Sequence, residues 1–178
     1  IMESYNNAIN FYDKSIEILR VTGDSISLAS ALLNAGDCYY NMGEYEQALK
    51  CFEEAGPIFQ ALNYQAGMAY YLGNVGMIYA TQGTDSLAKE YIYEAIDILE
   101  ELGDYYPISV YLTIMSDIYL KQNEFDVALS YTQRSLRLAK EYGLKDQIGD
   151  AYLQLSKLYE QSGSQQEAFD TYKKHILY

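Results

Sequence analysis

The sequence predicts an all-α fold of antiparallel helix pairs laid side by side, and three observations carry that prediction. Positions 34 to 43 read NAGDCYYNMG and positions 74 to 83 read NVGMIYATQG, so Asn, Gly, Tyr and Gly return at an interval of forty residues. The interval runs the length of the chain: Ala8, Ala48, Ala88, Ala128 and Ala168 form one column, Tyr39, Tyr79, Tyr119 and Tyr159 a second, and Gly36, Gly76, Ser116 and Ser156 a third. A fixed period of this size is the mark of a repeat architecture. Within a period, apolar residues recur at three and four, as in Leu28, Leu32, Ala35, Tyr39 and again in Tyr45, Ala48, Leu49, Phe52, which is helical spacing on both sides of Gly43. Gly43, Gly83, Asn123 and Gly163 then recur between the helical stretches, all residues that tolerate the left-handed backbone of a helix end.

The elements follow in order. A helix over 1–21 carries Ala8 and Ile18, the latter heading a column with Ile58, Ile98 and Leu138. Helices over 25–42 and 44–62 carry the two apolar stripes just named, and Pro57 beside Gly56 predicts a kink in the second, because proline removes the bond to the Glu53 carbonyl. Helices over 65–82 and 84–102 carry Leu72, Val75, Tyr79 and Ala88, Ile92, Ala95. The helix over 105–122 has Pro107 in its first turn, where a missing N–H costs nothing, and Asn123 is expected to cap the helix over 124–142. The last pair, 145–162 and 164–178, opens its second member with Ser164-Gln-Gln-Glu167, the letters of a capping box. Glycine inside a helix costs about 1 kcal/mol against alanine, so Gly36 and Gly76 call for a packing reason. The expected reason is close approach of each to the repeated alanine of the paired helix.

Composition bounds the function. The 178 residues are 49% hydrophobic and 21% charged, with two prolines and twelve glycines, enough to bury a core and with no stretch of linker composition. The formal net charge of −13 argues against nucleic acid and favours a partner of basic character. No apolar run approaches the roughly 20 residues that span a bilayer, so no membrane partner is expected. Two cysteines, Cys38 and Cys51, are too few for a disulfide framework and fit a cytoplasmic protein; their columns hold Ile78, Ile118, Leu158 and Tyr91, Tyr131, Thr171, so both read as core or near-core thiols. The chain enters a helical pattern at Ile1, from which the natural N-terminus is expected to lie upstream and the chain to be a fragment of a larger protein.

Nothing in the sequence makes a catalytic centre. Histidine occurs once, at His175, which excludes histidine-dependent triads and multi-histidine metal sites. Ser86-Leu-Ala-Lys89 matches S-x-x-K by letters, but its companion Ser-Asp-Asn and Lys-Thr-Gly motifs are missing. Neither a phosphate-binding GxxxxGK nor a GxGxxG is present. The expectation is no enzyme, no cofactor and no metal. The tyrosines of the repeated column read as packing groups.

Leu32, Ala35, Gly36, Tyr39, Ala48, Phe52 and Ala55, with their copies forty residues on, resemble the tetratricopeptide repeat pattern, Leu32 standing where the family often has Trp. The resemblance covers the whole chain and departs from the family in its period, forty against the usual thirty-four, and in lacking the proline near the repeat end. Forty-residue copies with Gly-Asp between repeats, as at Gly23-Asp24 and Gly103-Asp104, are similar to the arrays of Pins-type polarity adaptors and of bacterial sensor proteins. The resemblance implies a right-handed α-α superhelix: one array over 1–178, in which 1–21 is the second helix of a truncated repeat and 25–62, 65–102, 105–142 and 145–178 are helix pairs.

It also implies that the first helix of each pair lines a concave groove. Residue by residue, the groove positions include Asn34, Asp37, Tyr40 and Asn41, then Tyr70, Asn74 and Met77, then Val110, Ile114 and Asp117, then Gln154 and Lys157. Asn34, Asn74 and Gln154 share a column that Ile114 interrupts. An amide both donates and accepts, so such a ladder can pair with the backbone of an extended peptide whatever its side chains. Tyr70, Met77, Val110 and Ile114 offer an apolar centre. The carboxylate clamp of co-chaperone members is not expected, because its lysine and asparagine would fall at Leu33 and Asp37. The implied function is a scaffold that binds a protein or peptide segment in the groove. The alternative is a sensory or dimerising region of a bacterial histidine kinase or nucleotide cyclase, and ends without polar caps are expected to allow self-association.

Overall fold

The computed structural model describes residues 2–178, with side chains from residue 4 onward; the start of the first predicted helix, at Ile1, lies outside the described residues. Among the described residues there are nine α-helices and no strand: α1 (Met2–Thr22), α2 (Ser25–Asn41), α3 (Tyr45–Ala61), α4 (Gln65–Thr81), α5 (Asp85–Leu102), α6 (Tyr105–Lys121), α7 (Phe125–Glu141), α8 (Lys145–Gln161) and α9 (Gln165–Ile176). The all-α prediction holds, and helix ends fall within two residues of those predicted. None of these helices is long and apolar enough to cross a membrane. The chain forms two compact units, Ile1–Ile98 and Leu99–Tyr178, with the division inside α5.

Local backbone chemistry explains the regular helix length. Left-handed residues occur at Gly23, Gly43, Asn63, Gly83, Gly103, Asn123, Gly143 and Gly163, one every twenty residues. From Gly43 onward each is followed by a residue whose N–H reaches back five positions, as Glu44 to the Tyr39 carbonyl at 2.9 Å and Tyr64 to that of Phe59 at 2.9 Å. That is the Schellman closure of a helix C-terminus, and residues such as Glu44, Tyr64 and Glu124 at once accept the first bond of the next helix, from Ala48, Met68 and Ala128. A three-residue turn is enough to reverse the chain. Asn123 (φ 61°) therefore belongs to the turn rather than capping α7, whose N-cap is Glu124. Ser164 is the N-cap of α9 but its side chain makes no cap bond, so the predicted capping box does not form. Asp24 does cap: its carboxylate accepts from the Ser27 N–H and hydroxyl, and those bonds hold it below the usual carboxylate pKa. α3 runs on as helix through Pro57, which faces solvent.

In the first unit α2 packs on α1 and α3, and α3 on α4. One cluster joins Ile16, Leu32, Ala35, Ala55 and Phe59, and a second joins Ala48, Phe52, Val75 and Ile78. The helical glycines serve close approach, but their nearest neighbour is not the repeated alanine side chain. A Cβ on Gly36 would lie 2.3 Å from the Phe52 ring, and one on Gly76 would lie 2.7 Å from Ile92 Cγ1 and 3.3 Å from the Ala88 carbonyl oxygen. The alanine column, buried at Ala48 and Ala88, brings the helix axes near enough for the side chain four residues on to occupy the space of the missing Cβ.

In the second unit α6 packs on α7 and α8, and α8 on α7 and α9. Here the same contact is polar. Ser116 and Thr132 stand where Gly76 and Ile92 stand forty residues earlier, both wholly buried, and the Thr132 hydroxyl donates to Ser116 Oγ at 2.7 Å. Ser135, also buried, donates to the Ser109 carbonyl at 2.8 Å. A buried hydroxyl left without its partner costs on the order of 1 kcal/mol. Thr132→Val is therefore expected to lower stability by about 1 kcal/mol in urea melts, and Ser116→Gly with Thr132→Ile, which copies the previous repeat, to recover most of it. Unchanged melting of Thr132→Val would show the hydroxyl pair to be energetically idle.

The tyrosine column packs as predicted. Tyr79 meets Tyr91 edge-on at 5.5 Å, and Tyr119 stacks on Tyr131 at 5.4 Å. Cys38 and Cys51 are half-buried and free, and burial pushes the Cys51 thiol up to about 11, so it stays protonated at neutral pH.

Candidate functional site

Each unit has a hollow formed where the first helices of two successive pairs lie side by side. In the first unit it holds about 260 Å³ between α2 and α4, lined by Ser30, Leu33, Asn34, Asp37 and Tyr70, with Phe59, Tyr64, Ala66 and Gly67 closing one side. Asn74 Nδ2 donates to Asp37 Oδ1 at 2.5 Å, tying α4 to α2. Asp37 is half-buried, and burial raises its carboxyl to about 6. Donation from Asn74 acts in the opposite sense by favouring the charged form.

In the second unit a hollow of about 170 Å³ lies between α6 and α8, and Val110, Ile114, Asp117, Asp150, Leu153, Gln154 and Lys157 are among its lining residues. Gln154 Nε2 donates to Asp117 Oδ1 at 2.7 Å and lies 3.3 Å from Ser116 Oγ. The two arrangements correspond: Asp37 and Asp117 are eighty residues apart, as are Asn74 and Gln154. In each unit a carboxylate on the earlier first helix accepts from an amide on the later one.

The residues predicted for the groove divide accordingly. Asn34, Asp37 and Tyr70 meet in the first hollow, with Asn74 joined to it through Asp37. Val110, Ile114, Asp117, Gln154 and Lys157 meet in the second. Tyr40 instead packs on Tyr45 at 5.6 Å, Asn41 turns back to donate to the Asp37 carbonyl at 2.7 Å, and Met77 is half-buried on α4 outside the first hollow's lining. Of the amide column, Asn34 is exposed, whereas Asn74 and Gln154 are already bonded within the molecule.

Sequence reasoning missed the wall of Phe59, Tyr64 and Gly67. The signal was present: Gly67 sits in an apolar helix where a Cβ would lie 2.3 Å from the Phe59 ring, and Phe59 meets Tyr64 at 5.7 Å. His175 is a packing group: its Nδ1 lies 2.9 Å from the Gly149 carbonyl, against which it donates as N–H. Among the described residues, no group of three His, Cys, Asp or Glu side chains is placed to hold a metal ion.

Family models described as tetratricopeptide repeat match residues 1–61 and 149–176. No curated protein matches the sequence. Among solved structures, the chain is similar to BtubC (BKLC) from P. vanneervenii, at TM-score 0.79 and 17% identity, over 97% of this chain and 72% of that one. The apo form of RapI gives TM-score 0.74 and 16% identity over 98% and 77% of the two chains. A Signal Transduction ATPase with Numerous Domains protein with a tetratricopeptide repeat sensor, from Pyrococcus horikoshii, gives TM-score 0.74 and 22% identity over 92% of this chain and 26% of that one. Likenesses at these identities establish the fold. With its left-handed turn every twenty residues, its small-residue columns and the two model matches, the chain belongs to the tetratricopeptide repeat family.

Proposed function

We propose that the chain is a binding module that takes an extended protein or peptide segment of basic character, using the hollows between successive first helices. The observation that carries this reading is the pair of carboxylates, Asp37 and Asp117, each held by an amide in the lining of a partly apolar hollow. Among the described residues neither carboxylate has a cation within ion-pair distance. A net charge of −13 adds a long-range field that draws a basic segment in. Tyr70 in one hollow and Val110 and Ile114 in the other supply apolar contact, while exposed Asn34 keeps an amide free for backbone bonding.

The test is selection of random twelve-residue peptides displayed on phage, followed by anisotropy titration of the recovered peptides. Recovered peptides are expected to carry more Lys and Arg than Asp and Glu. Tyr70→Ala or Ile114→Ala is expected to weaken them at least about tenfold, the scale of one lost hot-spot contact, without changing the helical circular dichroism. Recovery of no peptide, or equal affinity in both variants, rejects the reading.

A further inference from the structure

We infer that the hollow of the second unit is a pocket for one arginine side chain of the bound segment, an inference that rests on the peptide-binding reading above. Its volume, about 170 Å³, is below the roughly 300 Å³ at which small-molecule sites begin, so it is sized for a side chain. Val110, Ile114 and Leu153 supply aliphatic wall for methylenes, and Asp117 and Asp150 supply carboxylates.

The decisive group is Gln154. It is 1% exposed, its nitrogen is held by Asp117 and Ser116, and its Oε1 has no hydrogen-bond partner among the described residues. Exchanging the amide's oxygen and nitrogen would set a carbonyl against the Asp117 carboxylate, so the unpartnered atom is the acceptor. A buried acceptor without a donor is an exception among folded proteins. Gln154 is among the residues lining a hollow whose two carboxylates also lack a cation among the described residues. Three oxygen-bearing groups in one small hollow match a planar guanidinium, which presents five N–H donors in a fixed fork, better than the compact ammonium of lysine. Lys157, exposed at the same hollow and in no ion pair among the described residues, is the one cation among the lining residues described and opposes entry.

The test is an NMR titration of the whole chain, labelled on amides and methyls, with N-acetylarginine amide, its uncharged analogue N-acetylcitrulline amide, and N-acetyllysine amide. Arginine amide is expected to shift the Gln154 side-chain resonances and the Val110, Ile114 and Leu153 methyls, with citrulline and lysine amides at least about tenfold weaker, one charge-assisted contact. Asp117→Asn is expected to weaken the arginine probe by a similar factor, and Lys157→Met, which removes a repelling charge from an exposed position, to tighten it about threefold. Equal binding of citrulline or lysine amide, shifts confined to other surfaces, or weaker binding in Lys157→Met each overturn the pocket. Selected peptides that lack arginine and bind Asp117→Asn as tightly as wild type overturn the pocket and leave peptide binding standing. Arginine amide held at Gln154 with no peptide recovered keeps the pocket and rejects the peptide-binding reading.

Discussion

Gly36→Ala is expected to lower stability by about 1 to 3 kcal/mol, the range for an added methyl in a well-packed core. Alanine is the better helix former by about 1 kcal/mol, so on an open helix face the same change would stabilise. At Gly36 packing reverses the sign. The new Cβ would lie 2.3, 2.7 and 2.8 Å from three carbons of the Phe52 ring, which is wholly buried in the cluster with Ala48, Val75 and Ile78 and has no open side to retreat to. The equivalent change at Gly76 meets Ile92 Cγ1 at 2.7 Å, Tyr91 Cβ at 3.2 Å and the Ala88 carbonyl oxygen at 3.3 Å, and Ile92 is wholly buried too, so Gly76→Ala is also expected to destabilise. Equilibrium urea melts of both variants, and of Gly36→Ala with Phe52→Leu, separate the contributions: the double variant should recover part of the loss by making room for the methyl. A Gly36→Ala protein that melts at or above wild type would show that the ring has somewhere to go.

The comparison of Gly36 with Ser116 shows how much of the fold is legible in the sequence. The column of small residues was visible, and so was its purpose, close approach between paired helices. What fills the gap was not, because the filling side chain lies four residues beyond the repeated alanine and differs from repeat to repeat: Phe52, Ile92, Thr132. The turns show the same limit. Gly43, Gly83, Asn123 and Gly163 were readable as helix ends and Gly23 and Gly103 as positions between repeats, but the twenty-residue rule that adds Asn63 and Gly143 needed the backbone. Asn63 and Asn123 can adopt φ > 0 or cap a helix, and letters alone do not decide between the two.

The candidate site was legible as a face and illegible as a set of bonds. Asp37, Asn74, Asp117 and Gln154 were all placed on first helices by their column. Their pairing crosses thirty-seven residues, two helices on, and depends on how closely α2 lies to α4 and α6 to α8. Periodicity fixes which way a side chain faces, not which neighbour it reaches. Hence an amide column that reads as three equivalent groups contains one exposed residue, Asn34, and two committed ones. Local rules are most often broken where a protein binds something, and a carboxylate sheltered without a cation is such a break.

Asp37→Asn is expected to stabilise the protein at pH 7, on the order of 2 kcal/mol, because it removes an ionised group from a site that disfavours charge. Burial raises the Asp37 carboxyl to about 6 from an unfolded value of 3.8. Well below pH 3.8 the group is protonated in both states and carries no penalty. Between pH 4 and 6 the folded state binds the extra proton, so this contribution to stability falls as pH rises; above 6 the full penalty remains. The sign is the reverse of that for a salt-bridged aspartate. Asparagine keeps a carbonyl oxygen for the Asn74 amide and brings no charge, so the gain over wild type should be near zero at pH 3.5, grow through pH 4 to 6 and level off by pH 7. Urea melts of both proteins across that range measure it, and a difference that is constant with pH, or largest in acid, rejects a burial-raised carboxyl at this position. The penalty is also what a bound cation would relieve. On the peptide-binding reading, basic peptides that use the first hollow should therefore bind wild type more weakly below pH 6, where Asp37 is neutral, and should bind Asp37→Asn weakly at every pH. The substitution that gains stability is then the one that loses ligand, the exchange expected where a fold holds a destabilised group for the sake of its partner.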